Sequence, residues 1–277
     1  MDDLVSTVWL ADNLGQPDLV AVDASFFMPS SGRDAHAEYL AAHIAGARFL
    51  DIDELSDKTN PAPHMLPSAG DFGRAMEALG VGRDDRIVVY DNSPLRTAAR
   101  GWFMLRHIGA ENVAILDGGL QKWSAEGRPV ESGEPASRDA RFDAAERAGE
   151  VVGLADISAG LGTALIDARG KARFEGSEPD PRPGVAAGHI PGARNLPFAA
   201  LYRDDGTFRS RDEIAQTFAV AGADPHAPFV ASCGSGVTAN SLIFAAHLLG
   251  NRATRLYDGS WSEWGADPAT PKEKGPA

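Results

Sequence analysis

Short apolar runs punctuate the chain: Leu19–Val22, Ile87–Tyr90, Val113–Leu116, Ala164–Ile166, Phe229–Ser232 and Thr254–Leu256. All are too short for a helix, and all but Thr254–Leu256, which Arg255 interrupts, are continuous rather than alternating, the pattern of strands buried on both faces of a parallel sheet. Between them, Ala69–Leu79, Thr97–His107, Ser210–Val220 and Val237–Leu249 carry apolar residues at helical spacing. Strands alternating with helices predict an α/β fold, a mainly parallel sheet with helices on both faces. In such sheets ligands sit beyond the carboxyl ends of the strands.

The pattern occurs twice. AHIAGARFLDIDEL (42–55) returns as GHIPGARNLPFAAL (188–201), and LVAVDAS, closing at Asp23, returns as ALIDARG, closing at Asp167. RIVVYDNSP (86–94) returns as PFVASCGSG (228–236), and ILDGGLQKW (115–123) as LYDGSWSEW (256–264). Four blocks recurring in one order predict two copies of one domain, 1–131 and 150–277. The polar, Gly- and Pro-bearing stretch 132–149 reads as a linker crossing the surface, and the tail from Pro268 as frayed.

Charge narrows the function. The 277 residues hold 26 Lys and Arg against 39 Asp and Glu, a net charge of −13. That balance argues against nucleic-acid or anionic-membrane surfaces, which need a basic excess. No apolar run approaches the length of a membrane span, and Asp2 and Asp3 stand where a secretory leader would be basic, so a cytoplasmic location is expected. The single cysteine, Cys233, excludes a disulfide framework within the chain. The seven histidines form no cluster with metal-ligand spacing, so no metal is expected, and no nucleotide-binding glycine loop is found.

Cys233 itself is well placed. It follows the strand Phe229–Ser232 and precedes Gly234-Ser235-Gly236-Val237-Thr238-Ala239 and a helix. A strand, a glycine turn and a helix N-terminus aim backbone N–H groups at an anion, which stabilises a thiolate and predicts an exposed, nucleophilic sulfur. The alternative, a small buried hydrophobe, does not call for the flanking glycines. The first copy has Asp91 at the matching position, so it lacks the nucleophile and reads as a structural or substrate-shaping partner.

SCGSGVTA (232–239), the paired HI-x-GA blocks and YDGSWSEW resemble the tandem rhodanese-domain sulfurtransferases, and the resemblance runs from about Trp9 to Gly265. SDKTNPAPHMLP (56–67) and DARGKARFEGSEPDPRPG (167–184) belong to it. The loop Cys-Gly-Ser-Gly-Val-Thr is similar to that of the branch acting on 3-mercaptopyruvate; thiosulfate-specific members tend to carry Cys-Arg-Lys-Gly-Val-Thr.

The resemblance implies transfer of sulfur from 3-mercaptopyruvate through a Cys233 persulfide to a thiol such as thioredoxin or a small thiol, or to cyanide, with release of pyruvate and no cofactor. It implies a carboxylate clamp of Arg173 and Arg182, and a loop of Gly234, Ser235, Gly236, Val237 and Thr238 holding the sulfur. It also implies a proton relay through Ser235 with His43 and an acid mapped to Asp34; the alternative for His43 is a structural role, since its repeat mate His189 begins a matching His-Ile-x-Gly-Ala turn. Thr238 is expected to cap the following helix or bond within the loop rather than act as an acid. The neutral Gly234 and Ser235 suit a monoanionic keto acid better than a dianion. Thiosulfate sulfurtransferase and a non-catalytic interaction module are the alternatives. A cysteine phosphatase is not, because Ala239 stands where its phosphate-clamping arginine is needed.

Overall fold

The computed structural model describes residues 1–160 and 162–277. They form two units. One comprises Met1–Ser56, Leu66–Arg147 and Arg203–Phe208; the other comprises Asp57–Met65, Ala148–Tyr202 and Arg209–Ala277. Two short segments thus belong to the unit built mainly from the other repeat.

Each unit is organised by a five-stranded parallel sheet flanked by helices. The first runs Leu4–Val5, Val113–Leu116, Arg86–Tyr90, Leu19–Asp23, Arg48–Phe49. The second runs Val151–Val152, Thr254–Tyr257, Phe229–Ser232, Ala164–Asp167, Arg194–Asn195. The matching repeat blocks take the same places. The central strands are the apolar runs read from the sequence; Arg86–Tyr90 is buried except at Arg86, and Phe229–Ser232 throughout. The edge strands are two residues long and carry no readable period.

Local chemistry sets the helix ends. Ser68 caps Ala69–Leu79 through the Asp71 N–H, and Gly80 closes it in the left-handed region at φ 73°. Ser210 and Glu213 form a capping box on Arg211–Val220, so Ser210 is the cap rather than the first turn. The last expected helix is shorter, Ala239–Leu248, because Val237 and Thr238 still belong to the loop.

Two expectations change. Residues 132–147 group with the first unit: the Arg138 guanidinium donates to both oxygens of Asp85 at 2.6 and 2.7 Å, and Phe142 packs edge-on against Phe72. The tail is not frayed at its start. The Trp264 indole donates to Pro271 O at 2.7 Å, Thr270 is buried, and Glu273 bridges to His189. That bridge repeats a first-unit pairing, His43 opposite Glu131. Backbone bonds and an indole anchor, invisible to composition, order this polar segment.

Asp23 ends a central strand at 1% exposure and accepts the Ser25 N–H at 2.9 Å. Burial, with repulsion from Asp91, pushes its carboxyl up to about 6. The folded state therefore holds this proton more tightly than the unfolded chain. Its contribution to stability falls as pH rises from about 4 to about 6 and then levels. Asp23→Asn should lose less stability over that window and gain up to about 3 kcal/mol at pH 7. Denaturant midpoints across the window measure this; curves parallel to wild type contradict it.

Candidate active site

Cys233 stands directly after the second sheet's central strand, and the loop behind it is held by its carbonyls. The Trp261 N–H donates to Cys233 O at 3.1 Å. The Ser262 N–H and Arg182 Nη1 donate to Gly234 O at 2.8 and 2.9 Å. Asn240 Nδ2 donates to both Gly236 O, at 2.6 Å, and Val237 O, at 2.9 Å. A trans peptide points its C=O and N–H in opposite directions. The N–H groups of Gly234, Ser235, Val237 and Thr238 therefore turn away from these donors, to the inside of the loop, as a nest for an anion.

Gly236 departs from the expected cradle. Its N–H and that of Cys233 donate to Ser260 Oγ, at 3.1 and 3.0 Å. Ser260 is fully buried and holds φ 50°, a left-handed conformation costly for serine. Gly236 at φ 72° is required for a second reason: a Cβ there would lie 2.6 Å from Asp258 O. Thr238 occupies the N-cap position of Ala239–Leu248 but makes no side-chain capping bond, because its backbone is already helical. Nor is the sulfur exposed as expected. Cys233 is 1% exposed, beneath a loop across which Arg182 lies.

The two arginines do converge. A Cβ built on Gly234 would meet Arg182 Nη2 at 2.7 Å and Arg173 Nη2 at 3.4 Å, so the missing side chain makes room for both guanidiniums. Asp180 joins them. Its Oδ2 accepts Arg173 Nη2 at 2.7 Å, and its Oδ1 accepts the Arg182 N–H at 3.0 Å and lies 3.6 Å from Arg182 Nη1. Burial weakens the hold of Arg182 on its proton; the charges of Asp180 and Cys233 oppose that shift. Nearby, Arg169 and Asp167 form an ion pair at 2.7 Å with both side chains almost fully buried, and the guanidinium lies over the Trp261 ring.

Ser235 Oγ lies 2.8 Å from an imidazole nitrogen, Nδ1 of His64. His64 holds a left-handed φ of 61°, the kind of backbone strain that collects at functional sites. The sequence reading placed His43 and Asp34 in this role. The structure gives both local tasks in the first unit instead. His43 is buried, stacks on Tyr39 at 4.3 Å and bonds Tyr39 O through Nδ1 at 2.8 Å. His189 does the same on Phe174, at 3.8 and 2.9 Å, so the histidine pair is a structural feature of the repeat. Asp34 is the N-cap of Ala35–Ala41. His64 was readable only as part of the 56–67 stretch, and nothing in its spacing pointed to Ser235.

Both repeats match the rhodanese-like domain family, over residues 6–126 and 153–267. The chain belongs to the rhodanese family. It is 42% identical over 273 residues to the 3-mercaptopyruvate sulfurtransferase of Escherichia coli K12, covering 97% of both chains. The crystal structure of SseA from Escherichia coli, described as a 3-mercaptopyruvate sulfotransferase, superposes with a TM-score of 0.86 at 39% identity, covering 95% of this chain and all of that one. The bovine thiosulfate sulfurtransferase is 37% identical over 271 residues, covering 94% of this chain and 91% of its own.

The first rhodanese-like repeat shows what an anion does in such a loop. Asp91, at the cysteine position, accepts the Ser93 N–H with one oxygen at 2.9 Å and the Ala98 N–H with the other at 2.7 Å. Ala98 matches Asn240 in register. The loop is thus filled by the protein's own carboxylate, and burial raises its affinity for a proton. Among the described residues, no helix is long and apolar enough to cross a membrane.

Proposed function

We propose that this rhodanese is a 3-mercaptopyruvate sulfurtransferase with Cys233 as its nucleophile. One observation carries the reading: Arg173 and Arg182 converge on Gly234, next to the cysteine, where a loop without basic side chains leaves them room. The name of the Escherichia coli relative, more similar than the bovine thiosulfate sulfurtransferase, supports it. A guanidinium pair suits a planar carboxylate.

The Cys233 thiolate, held by the loop N–H groups, attacks the substrate sulfur. An S–S bond forms and the C–S bond breaks, and its electron pair goes to C3 as the pyruvate enolate. The proton lost by the substrate thiol ends on C3, so pyruvate leaves and the persulfide remains as its anion. Ser235 and His64, in hydrogen-bond contact, are the groups placed to carry that proton. A thiol acceptor, thioredoxin or a small thiol, then takes the outer sulfur and regenerates the thiolate, a two-step covalent cycle needing no cofactor. A reducing compartment such as the cytoplasm keeps the cysteine free for it.

Pyruvate formation from 3-mercaptopyruvate with a thiol acceptor tests the proposal. The expected kcat/KM exceeds that for thiosulfate; equal or better use of thiosulfate assigns the chain to the other branch.

A further inference from the structure

We propose that Asp180 tunes the arginine clamp to singly charged donors, as a positioning and specificity-determining residue. This rests on the sulfurtransferase reading above. Asp180 lies in the loop between the helix Lys171–Glu175 and His189, and its side chain is 1% exposed. A carboxylate so buried needs partners, and here they are the two guanidiniums assigned to the substrate.

Its first effect is aim. The carboxylate is fixed by the Arg182 N–H at 3.0 Å, two residues along its own chain, so its orientation is set locally. From there it draws in Arg173 Nη2 at 2.7 Å. Arg173 and Arg182 carry like charges, and the charge of Arg173 makes that of Arg182 harder to keep. Without a carboxylate between them, like charges would spread apart and lose their common target beside Gly234. Asp180 also leaves part of the clamp unspent: Arg173 Nε is buried with no hydrogen-bond partner.

Its second effect is on charge. Arg169 is neutralised by its own partner, Asp167. Arg173 and Arg182 share the single carboxylate of Asp180, so the clamp presents one net positive charge. The 3-mercaptopyruvate carboxylate carries one negative charge and thiosulfate carries two. A charge removed from a partly desolvated site acts on a ligand in proportion to that ligand's own charge. Removing the Asp180 charge therefore favours the dianion over the monoanion.

The test is the ratio of kcat/KM for thiosulfate to that for 3-mercaptopyruvate, measured in wild type, Asp180→Asn and Asp180→Glu. Asn keeps an oxygen for the Arg182 N–H but carries no charge. It should raise the ratio about tenfold or more, with a higher KM for 3-mercaptopyruvate. Glu restores the charge and should return the ratio toward wild type. A purely structural loss would depress both donors alike and leave the ratio unmoved. Asp180→Ser, whose hydroxyl can still accept the Arg182 N–H, serves if the Asn variant fails to fold. An unchanged ratio in a folded, uncharged variant overturns the proposal. Wild-type turnover of 3-mercaptopyruvate tests the underlying reading separately, because it involves no substitution at Asp180.

Discussion

Cys233→Ser should lower pyruvate formation from 3-mercaptopyruvate by at least about 10⁴-fold, the scale on which loss of a covalent nucleophile acts. A serine oxygen cannot form the S–S bond on which both half-reactions depend, so neither acceptor concentration nor donor excess recovers the rate. The substitution is nearly isosteric at a site only 1% exposed, and the new hydroxyl sits among loop N–H groups that can donate to it. Folding should therefore be close to wild type, and a thermal melt separates lost chemistry from lost structure. Mass spectrometry after incubation with donor gives an independent readout. Wild type gains one sulfur atom and the variant gains none. Turnover that survives in Cys233→Ser removes the persulfide from the mechanism.

Arg182→Ala should raise the KM for 3-mercaptopyruvate about 30- to 100-fold, as expected when one partner of a partly buried charge-assisted contact is truncated. The KM for an uncharged persulfide donor should stay near wild type. The distinction follows from charge: with Arg182 gone, Arg173 and Asp180 balance, and the clamp presents no net charge to a carboxylate. Some loss in kcat accompanies it, because Arg182 Nη1 also holds the Gly234 carbonyl at 2.9 Å. The Ser262 N–H remains on that carbonyl at 2.8 Å and limits the loop's movement. Steady-state kinetics with the two donors decides the matter, and an unchanged KM takes Arg182 out of the site.

Much of the fold was legible because buried parallel strands are written as uninterrupted apolar runs, and because the duplication let each half check the other. Phe229–Ser232 and Arg86–Tyr90 stood out on both counts. The two-residue edge strands did not, since two residues define no period. Cys233 was legible as the only thiol, set between a strand and a glycine turn. Arg173 and Arg182 came with the family resemblance rather than from their own spacing. Ser260, Asn240, Asp180 and His64 were not found, because their meaning lies in approaches made only by the folded chain. Ser260 reaches Cys233 from 27 residues away, and His64 reaches Ser235 from 171. His43 is instructive in the other direction. Its repeat mate His189 was visible from the start, and a feature present in both copies belongs more naturally to their shared architecture than to chemistry confined to one.

The allotment of residues 57–65 to the second unit and 203–208 to the first has a consequence for how the protein is made. His64 leaves the ribosome before any residue after Ala148 exists. At about 5–20 residues per second, it waits roughly 10–40 s for the rest of the chain. The first unit waits as well, for a hexapeptide encoded beyond its own repeat. Neither unit is complete on a nascent chain that stops at the boundary between repeats. A gene fragment confined to the second repeat would supply the cysteine without the imidazole that meets Ser235, so the two halves are heritable as one piece.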